Sequence, residues 1–434
     1  MGIKVAKFGG TSLADASQFK KVKAIIDLDS DRKFIVNSAP GKRSGDDIKV
    51  TDMLYACKKC ADQDELFNES IEDVFNRFNQ IIEELELTLD LRPYLDQIKA
   101  DIKAGATDDY TASRGEYLNG IIMAEYLGIE FVDPSTIIVF DGKKFNPEKT
   151  QALASERLKG CEAAVVPGFY GADENQQIVT FSRGGSDITG AIVAKAVGAD
   201  IYENWTDVSG MLAADPRIVT NPNPIAAISY AELRELASMG ASVLHEDAVA
   251  PVKDAGIPIN IRNTNKPEDP GTLVGVKNED ASDQKTPTGV SGKKGFSMMN
   301  IDFSGDMSGT YLQNLMEQLA NLGLTDKYIL KGVDKISLVL QNEVSPEKEE
   351  EIKASMMKNG LAEAVTIIPG IALVAIVGEG FEQDKMLAKV AMGLSEAELR
   401  MILSLTYSAQ SMFIGVEEEK LADAIRSIYQ ACYS

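Results

Sequence analysis

The chain has 434 residues, 44% of them hydrophobic and 25% charged, ordinary values for a globular protein of two or three domains. Its formal net charge is −22, from 66 acidic and 44 basic side chains, which argues against a nucleic-acid partner because phosphate backbones need a concentrated basic face. Any anionic substrate must then be held by local cations working against the overall field, so Lys and Arg in glycine-rich turns are the residues to look for. The four cysteines set no disulfide framework. The single C-x-x-C, Cys57 to Cys60, has no second pair, and the one histidine, His245, is distant in sequence, so no structural zinc is expected. The apolar run at 367–378 contains Pro369 and is too short to span a bilayer. No signal segment precedes Lys4, and a cytoplasmic protein without a membrane partner is expected.

The opening stretch K-V-A-K-F-G-G-T-S-L-A-D, residues 4–15, predicts a buried strand running into a glycine pair. Lys7 stands ahead of the glycines, whereas in the common G-x-x-x-x-G-K-[ST] loop the lysine follows them. Further apolar runs at 33–39, 128–133, 162–168, 200–205 and 257–263 alternate with longer segments of helical spacing, among them V-F-N-R-F-N-Q-I-I-E-E-L and G-A-I-V-A-K-A-V-G. Val- and Ile-rich strands separated by helices predict an α/β fold, a mainly parallel sheet covered by helices, with ligands at the carboxyl ends of the strands.

Residues 277–295 are polar and glycine-bearing without apolar period, and predict a linker. Beyond them two rounds of β-α-β-β-α follow. A strand borrowed from the neighbouring round would complete each as a ferredoxin-like α+β unit. The expected organisation is a catalytic domain over 1–280, a linker over 281–294, and two regulatory units over 295–369 and 370–434, with strands exchanged between them. The glutamates opening the last helix of each round, such as Glu347 and Glu418, suit the positive end of a helix dipole.

Three turns of the first domain could carry chemistry. They are Lys7-Phe8-Gly9-Gly10-Thr11-Ser12; Ser182-Arg183-Gly184-Gly185-Ser186-Asp187; and Trp205-Thr206-Asp207-Val208-Ser209-Gly210, which leads to Asp215-Pro216-Arg217. Singly, each reads as a tight turn, and Ser186 or Asp187 could cap the following helix. Together, two pair glycines with a cation, and two helix N-termini facing one another could bind a polyphosphate.

K-F-G-G-T-S, S-R-G-G-S-D, W-T-D-V-S-G and D-P-R, in this order, resemble the aspartate kinases, which have the amino-acid kinase fold, and the C-terminal rounds look like their paired ACT domains. The resemblance implies ATP and Mg2+ as cofactors and L-aspartate as substrate. It places Lys7 at the transferring phosphate and makes Gly9, Gly10 and Thr11 donors to the nucleotide. Thr206, Asp207 and Arg217 would belong to the nucleotide pocket. Thr51 would contact the substrate, Glu116 would hold its ammonium group, and Arg183 would fork onto its α-carboxylate beside Ser186 and Asp187. Asp187 reads as an organiser of Lys7. Without the resemblance, Ser113-Arg114-Gly115-Glu116 reads as a capping box at a helix start.

The sequence departs from the family at three places. Ser242 replaces a family lysine, with His245 close by and expected to be structural; Met211 stands where an aromatic residue is usual; and residues 404–409 replace the S-Q-G-x-S-E stretch that often lines the effector pocket. The expected protein is an aspartate kinase making 4-phospho-L-aspartate on the route to lysine, threonine and methionine. Its expected effector is lysine or threonine, and its expected assembly a homodimer or homotetramer. The alternatives are a glutamate-type amino-acid kinase and a catalytically silent amino-acid sensor.

Overall fold

The computed structural model describes residues 2–182, 184–241, 244, 246–276, 286–303, 309–341, 344–379, 383–408 and 411–433. They form two compact units. The first comprises Met1–Met211, Pro224–Leu233 and Ser242–Asn278; the second comprises Leu212–Asn223, Arg234–Ala241 and Glu279–Ser434.

In chain order the first unit starts with β1 (Lys4–Phe8), α1 (Ala16–Asp27), β2 (Arg32–Asn37), α2 (Val50–Lys59), α3 (Asp64–Glu84), α4 (Arg92–Lys103) and α5 (Asp108–Leu127). There follow β3 (Glu130–Phe131), β4 (Phe140–Asp141), β5 (Lys144–Phe145), α6 (Pro147–Lys159), β6 (Ala164–Pro167), β7 (Tyr170–Ala172) and β8 (Ile178–Thr180). Then come α7 (Gly185–Val197), β9 (Ile201–Thr206), β10 (Ala227–Ile228), α8 (Tyr230–Ser238, of which residues 234–238 belong to the second unit), α9 (Glu246–Ala255), β11 (Ile259–Asn263) and β12 (Thr272–Val274). Eight strands make one sheet in the order β10-β12-β11-β9-β1-β2-β6-β3, parallel except where β11 meets β12. Its central strands are buried on both faces, as helix-covered parallel sheets require.

Strand alternation then assigns the polar residues of the sheet centre. Lys7 is the register partner of Asn204 in β9. With a side-chain period of two, these residues face one side, toward α7, while Ala6, Phe8, Glu203 and Trp205 face the other. On that other side Glu203 accepts two bonds from Arg32, at 2.7 and 3.1 Å, and one from the Trp205 indole at 2.9 Å. Arg32 also donates to the Ile25 carbonyl, so this buried pair is satisfied in the fork geometry arginine favours.

The second unit contains β13 (Gly289–Asp302), α10 (Gly309–Asn321), β14 (Asp326–Lys331), β15 (Lys335–Leu340), α11 (Pro346–Lys358), β16 (Ala364–Val377), α12 (Gln383–Glu396), β17 (Leu403–Ser408), β18 (Ser411–Glu417) and α13 (Leu421–Tyr433). The sheet order is β14-β15-β13-β16-β18-β17. The two long strands β13 and β16 run antiparallel, and the register shifts near Phe296 divide their pairing in two. The Met298–Asp302 half of β13 completes one ferredoxin-like unit with β14, β15 and the start of β16. Its Gly289–Lys293 half completes the other with the end of β16, β17 and β18.

Residues 289–294 are therefore strand, where the sequence predicted linker. The glycines there serve packing: a Cβ on Gly292 would stand 2.6 Å from the Leu421 side chain of α13. Likewise β16 continues through Pro369, bending at Gly370, which has a φ of 68°.

Glu203→Ala removes the hydrogen-bonded counter-ion of buried Arg32, leaving only Asp29 at 3.9 Å, and should destabilise the first unit by about 3–5 kcal/mol. Urea unfolding measures it, and a loss below about 1 kcal/mol would show that the pair does not support the sheet centre.

Candidate active site

The site is built where β1, β2, β6 and β9 end. Lys7, 7% exposed, places its ammonium 2.5 Å from the Asp187 carboxylate. Asn204 ties the pair together, accepting from Lys7 Nζ at 3.4 Å through its carbonyl and donating to Asp187 at 3.1 Å through its amide. Asp187 reaches inward from the first turn of α7. That helix starts at Gly185 behind Gly184, whose φ of 59° suits glycine, and no side chain caps it. Ser186 and Asp187 are thus inside the helix rather than at its cap. The cap reading fails because Gly184 occupies the N-cap position.

The turn after β1 is shaped by close backbone approach. Gly9 donates to the Trp205 carbonyl at 3.0 Å, and Gly41 donates to the Gly10 carbonyl at 2.8 Å. A Cβ on Gly41 would stand 2.6 Å from the Gly10 carbonyl carbon, so glycine is required there. Thr11 is exposed at the tip, and Ser12 is fixed below it by a 2.8 Å hydrogen bond with Thr264.

Around this centre, Ser186 packs against Gly168, whose amide donates to the Asn37 carbonyl at the end of β2. The Asn37 amide donates in turn to the Glu116 carbonyl, and Asn119 donates to the Ser38 carbonyl. Three buried acceptors here find no partner among the described residues: Glu116 Oε2, Asn37 Oδ1 and Asn119 Oδ1. Thr51, half-buried, lies in the first turn of α2, and its neighbour Val50 packs beside Gly115 of α5. Thr206 and Asp207 close β9, their side chains joined at 3.3 Å.

The structure therefore brings together Lys7, Gly9, Gly10, Thr11, Glu116, Ser186 and Asp187. Arg217 is otherwise engaged: it belongs to the second unit, is 88% exposed, and pairs with Asp215 at 2.6 Å. Arg183, Ser242 and His245 lie outside the described residues. Glu116 corrects another expectation. Its helix begins at Asp108, where the Thr107 hydroxyl caps the Tyr110 amide, so Ser113–Glu116 is helix interior and no capping box exists there. Asn204, Asn37 and Asn119 were missed by sequence reasoning. Their signal was a polar side chain inside, or packed on, an otherwise apolar strand.

This arrangement can be compared with known proteins. The family model described as "Amino acid kinase family" matches residues 2–263. Aspartokinase 3 of Bacillus subtilis is 32% identical over 456 residues, covering 100% of this chain and 99% of that protein. The chain belongs to the aspartokinases of the amino acid kinase family. The crystal structure of the Clostridium acetobutylicum aspartate kinase superposes with a TM-score of 0.90 at 44% identity, over 99% of this chain and 100% of that one. The Escherichia coli aspartokinase III structure with aspartate and ADP shares the fold, with a TM-score of 0.75 at 22% identity over all of both chains.

Within this aspartokinase, Glu116 is the strongly perturbed acid of the site. Burial pushes its carboxyl up to about 8, against the opposing pull of the Ala39 amide, its own amide and Arg114. The ligand-free protein thus holds a proton on Glu116 that the unfolded chain releases near 4.5. Folded, the group binds more protons than unfolded across that window. Its contribution is fully present below about 4.5 and is lost as pH rises through about 8. Glu116→Gln keeps the shape and removes the titration, so wild type should lose stability relative to this variant as pH rises. Denaturant melts near pH 5 and near pH 9 test this, and an equal difference at both would show that Glu116 is not held neutral.

Proposed function

We propose that this aspartokinase transfers the γ-phosphoryl group of ATP to the side-chain carboxylate of L-aspartate, giving 4-phospho-L-aspartate, at the Lys7–Asp187–Asn204 cluster. The nucleophile has an ordinary pKa of about 4 and is ionised near neutral pH, so no general base is needed. The obstacle is mutual repulsion between an anion and a triphosphate, which alignment and fixed positive charge overcome. Lys7 supplies that charge from a rigid strand end, and Asp187 and Asn204 hold its ammonium in place. The single observation carrying this reading is that three-residue cluster at the carboxyl ends of the parallel strands, with Lys7 and Asn204 buried and Asp187 partly so.

The remaining roles are those that the family resemblance implies. The Gly9–Gly10 turn exposes backbone to the nucleotide with Thr11 at its tip, and Thr206 and Asp207 flank it from β9. Glu116 takes the substrate ammonium: its orphaned Oε2 gains a partner, and the arriving cation expels the proton it holds. Thr51 and Ser186 contact the substrate, and Arg183 takes the α-carboxylate.

Among the described residues no group of three or more His, Cys, Asp or Glu side chains is arranged to hold a metal ion. Mg2+ is accordingly assigned to the nucleotide's own phosphates, where it would neutralise charge on the leaving group. No helix among the described residues is long and apolar enough to cross a membrane, and a cytoplasmic location is proposed. The second unit is proposed to bind lysine or threonine as effector. Its sheet ends in the edge strands β14 and β17, and pairing of such edges between copies would give the homodimer or homotetramer.

The test is coupled ADP release with aspartate, with glutamate and with neither. Aspartate alone should drive turnover, and lysine or threonine should change the rate. Turnover with glutamate, or none with aspartate, would overturn the assignment.

A further inference from the structure

Arg77, on α3, is 5% exposed and is absent from the catalytic cluster. Its guanidinium joins three points of two loops. One terminal nitrogen donates to the Asp47 carboxylate at 2.8 Å. The other donates to the Ala14 carbonyl at 3.0 Å and to the Gly41 carbonyl at 2.8 Å. Ala14 ends the 3-10 turn that begins at Gly10, and Gly41 is the residue pressed against Gly10. Asp47 lies at the far end of the Gly41 loop and is itself held by Arg43, through its backbone amide at 2.8 Å and its guanidinium at 2.9 and 3.0 Å.

These contacts form a latch. The Gly9–Ala14 turn and the 38–49 loop leave adjacent strands β1 and β2, and their direct backbone link is the Gly41–Gly10 hydrogen bond. The guanidinium grips both loops at once, and Asp47 anchors the second loop to the same group. Arg43 and Arg77 hold the Asp47 carboxyl well below the usual carboxylate range, so the latch stays charged at all ordinary pH values. The latch residues Arg43, Asp47 and Arg77 line one side of an open surface pocket of about 390 Å³.

We propose that Arg77 is a positioning residue for phosphoryl transfer: with Asp47 it locks the Gly41 loop onto Gly10 and so fixes the backbone that receives the phosphates. This rests on the reading that the Gly9–Ser12 turn faces the nucleotide. Displacing reacting groups by about 1 Å can cost about a hundredfold in rate, so a loosened turn should cost turnover while leaving the Glu116 side of the site intact.

Four variants test it: Arg77→Met, Arg77→Lys, Asp47→Asn and the double variant Arg77→Met with Asp47→Asn. Arg77→Met should lower kcat about 10- to 100-fold, with the aspartate dissociation constant within about twofold of wild type. Arg77→Lys keeps the charge but not the fork and should recover part of the loss. Asp47→Asn combined with Arg77→Met should be no worse than Arg77→Met alone. Hydrogen exchange supplies a readout independent of turnover: the Gly41 amide should exchange faster in Arg77→Met while amides of β1, β2 and β9 keep their protection. Unchanged Gly41 exchange overturns the latch. Faster Gly41 exchange with unchanged kcat overturns the placement of the phosphates on this turn. A loss of protection throughout the sheet would reduce Arg77 to a structural role and also overturn the proposal; Asp47→Asn, which leaves the guanidinium in place, tests the same point should Arg77→Met fail to fold.

Discussion

A buried ammonium at the end of a strand has to be paired, and here the pairing organises the site. Lys7 sits at the centre of an eight-stranded sheet, nearly removed from water, where an uncompensated charge would be costly. Its carboxylate partner comes from the start of α7 and its amide partner from the neighbouring strand β9. That requirement fixes the approach of α7 to the sheet and brings the Gly184–Asp187 turn over the strand ends. It also leaves a cation whose ammonium lies 3.8 Å from where a Cβ on Gly9 would be, beside backbone that only glycine lets ligands approach.

The same sheet keeps its two faces chemically separate. On one, Lys7, Asn204 and Asp187 make a polar cluster that opens at the strand ends. On the other, Arg32, Glu203 and Trp205 make a buried hydrogen-bonded network that Arg262 joins, its guanidinium 3.7 Å from Glu203. Adjacent residues Glu203 and Asn204 therefore serve unrelated purposes, one structural and one at the site, because successive side chains of a strand point in opposite directions. A one-residue slip in β9 would exchange them and destroy both.

How much of this was legible depended on the range of the interaction. The alternation of apolar runs with helical segments indicated the parallel sheet, since both-face burial marks such strands directly. The glycine turns were visible because close backbone approach restricts residue type, as Gly10 against Gly41 shows. Asn204 was passed over because its role depends on a residue 197 positions earlier, and nothing local announces that. Arg77 looked like one polar position on an amphipathic helix, although its three partners all lie on other segments. The start of α5 was misplaced for a local reason. Ser113 and Glu116 have capping-box spacing, but Thr107 with Asp108 and Asp109 supplies a better cap and an acidic first turn six residues earlier. In the second unit, glycine and lysine at 289–295 imitated a linker while serving as half of a central strand.

The account stands on the claim that the Lys7 ammonium, held by Asp187 and Asn204, neutralises the phosphoryl group in flight. The most direct measurement is single-turnover phosphoryl transfer by Lys7→Met, alongside its aspartate affinity and thermal unfolding. The account predicts a rate loss of at least about a thousandfold, far larger than any accompanying loss of aspartate affinity or thermal stability. Transfer at close to the wild-type rate would contradict it.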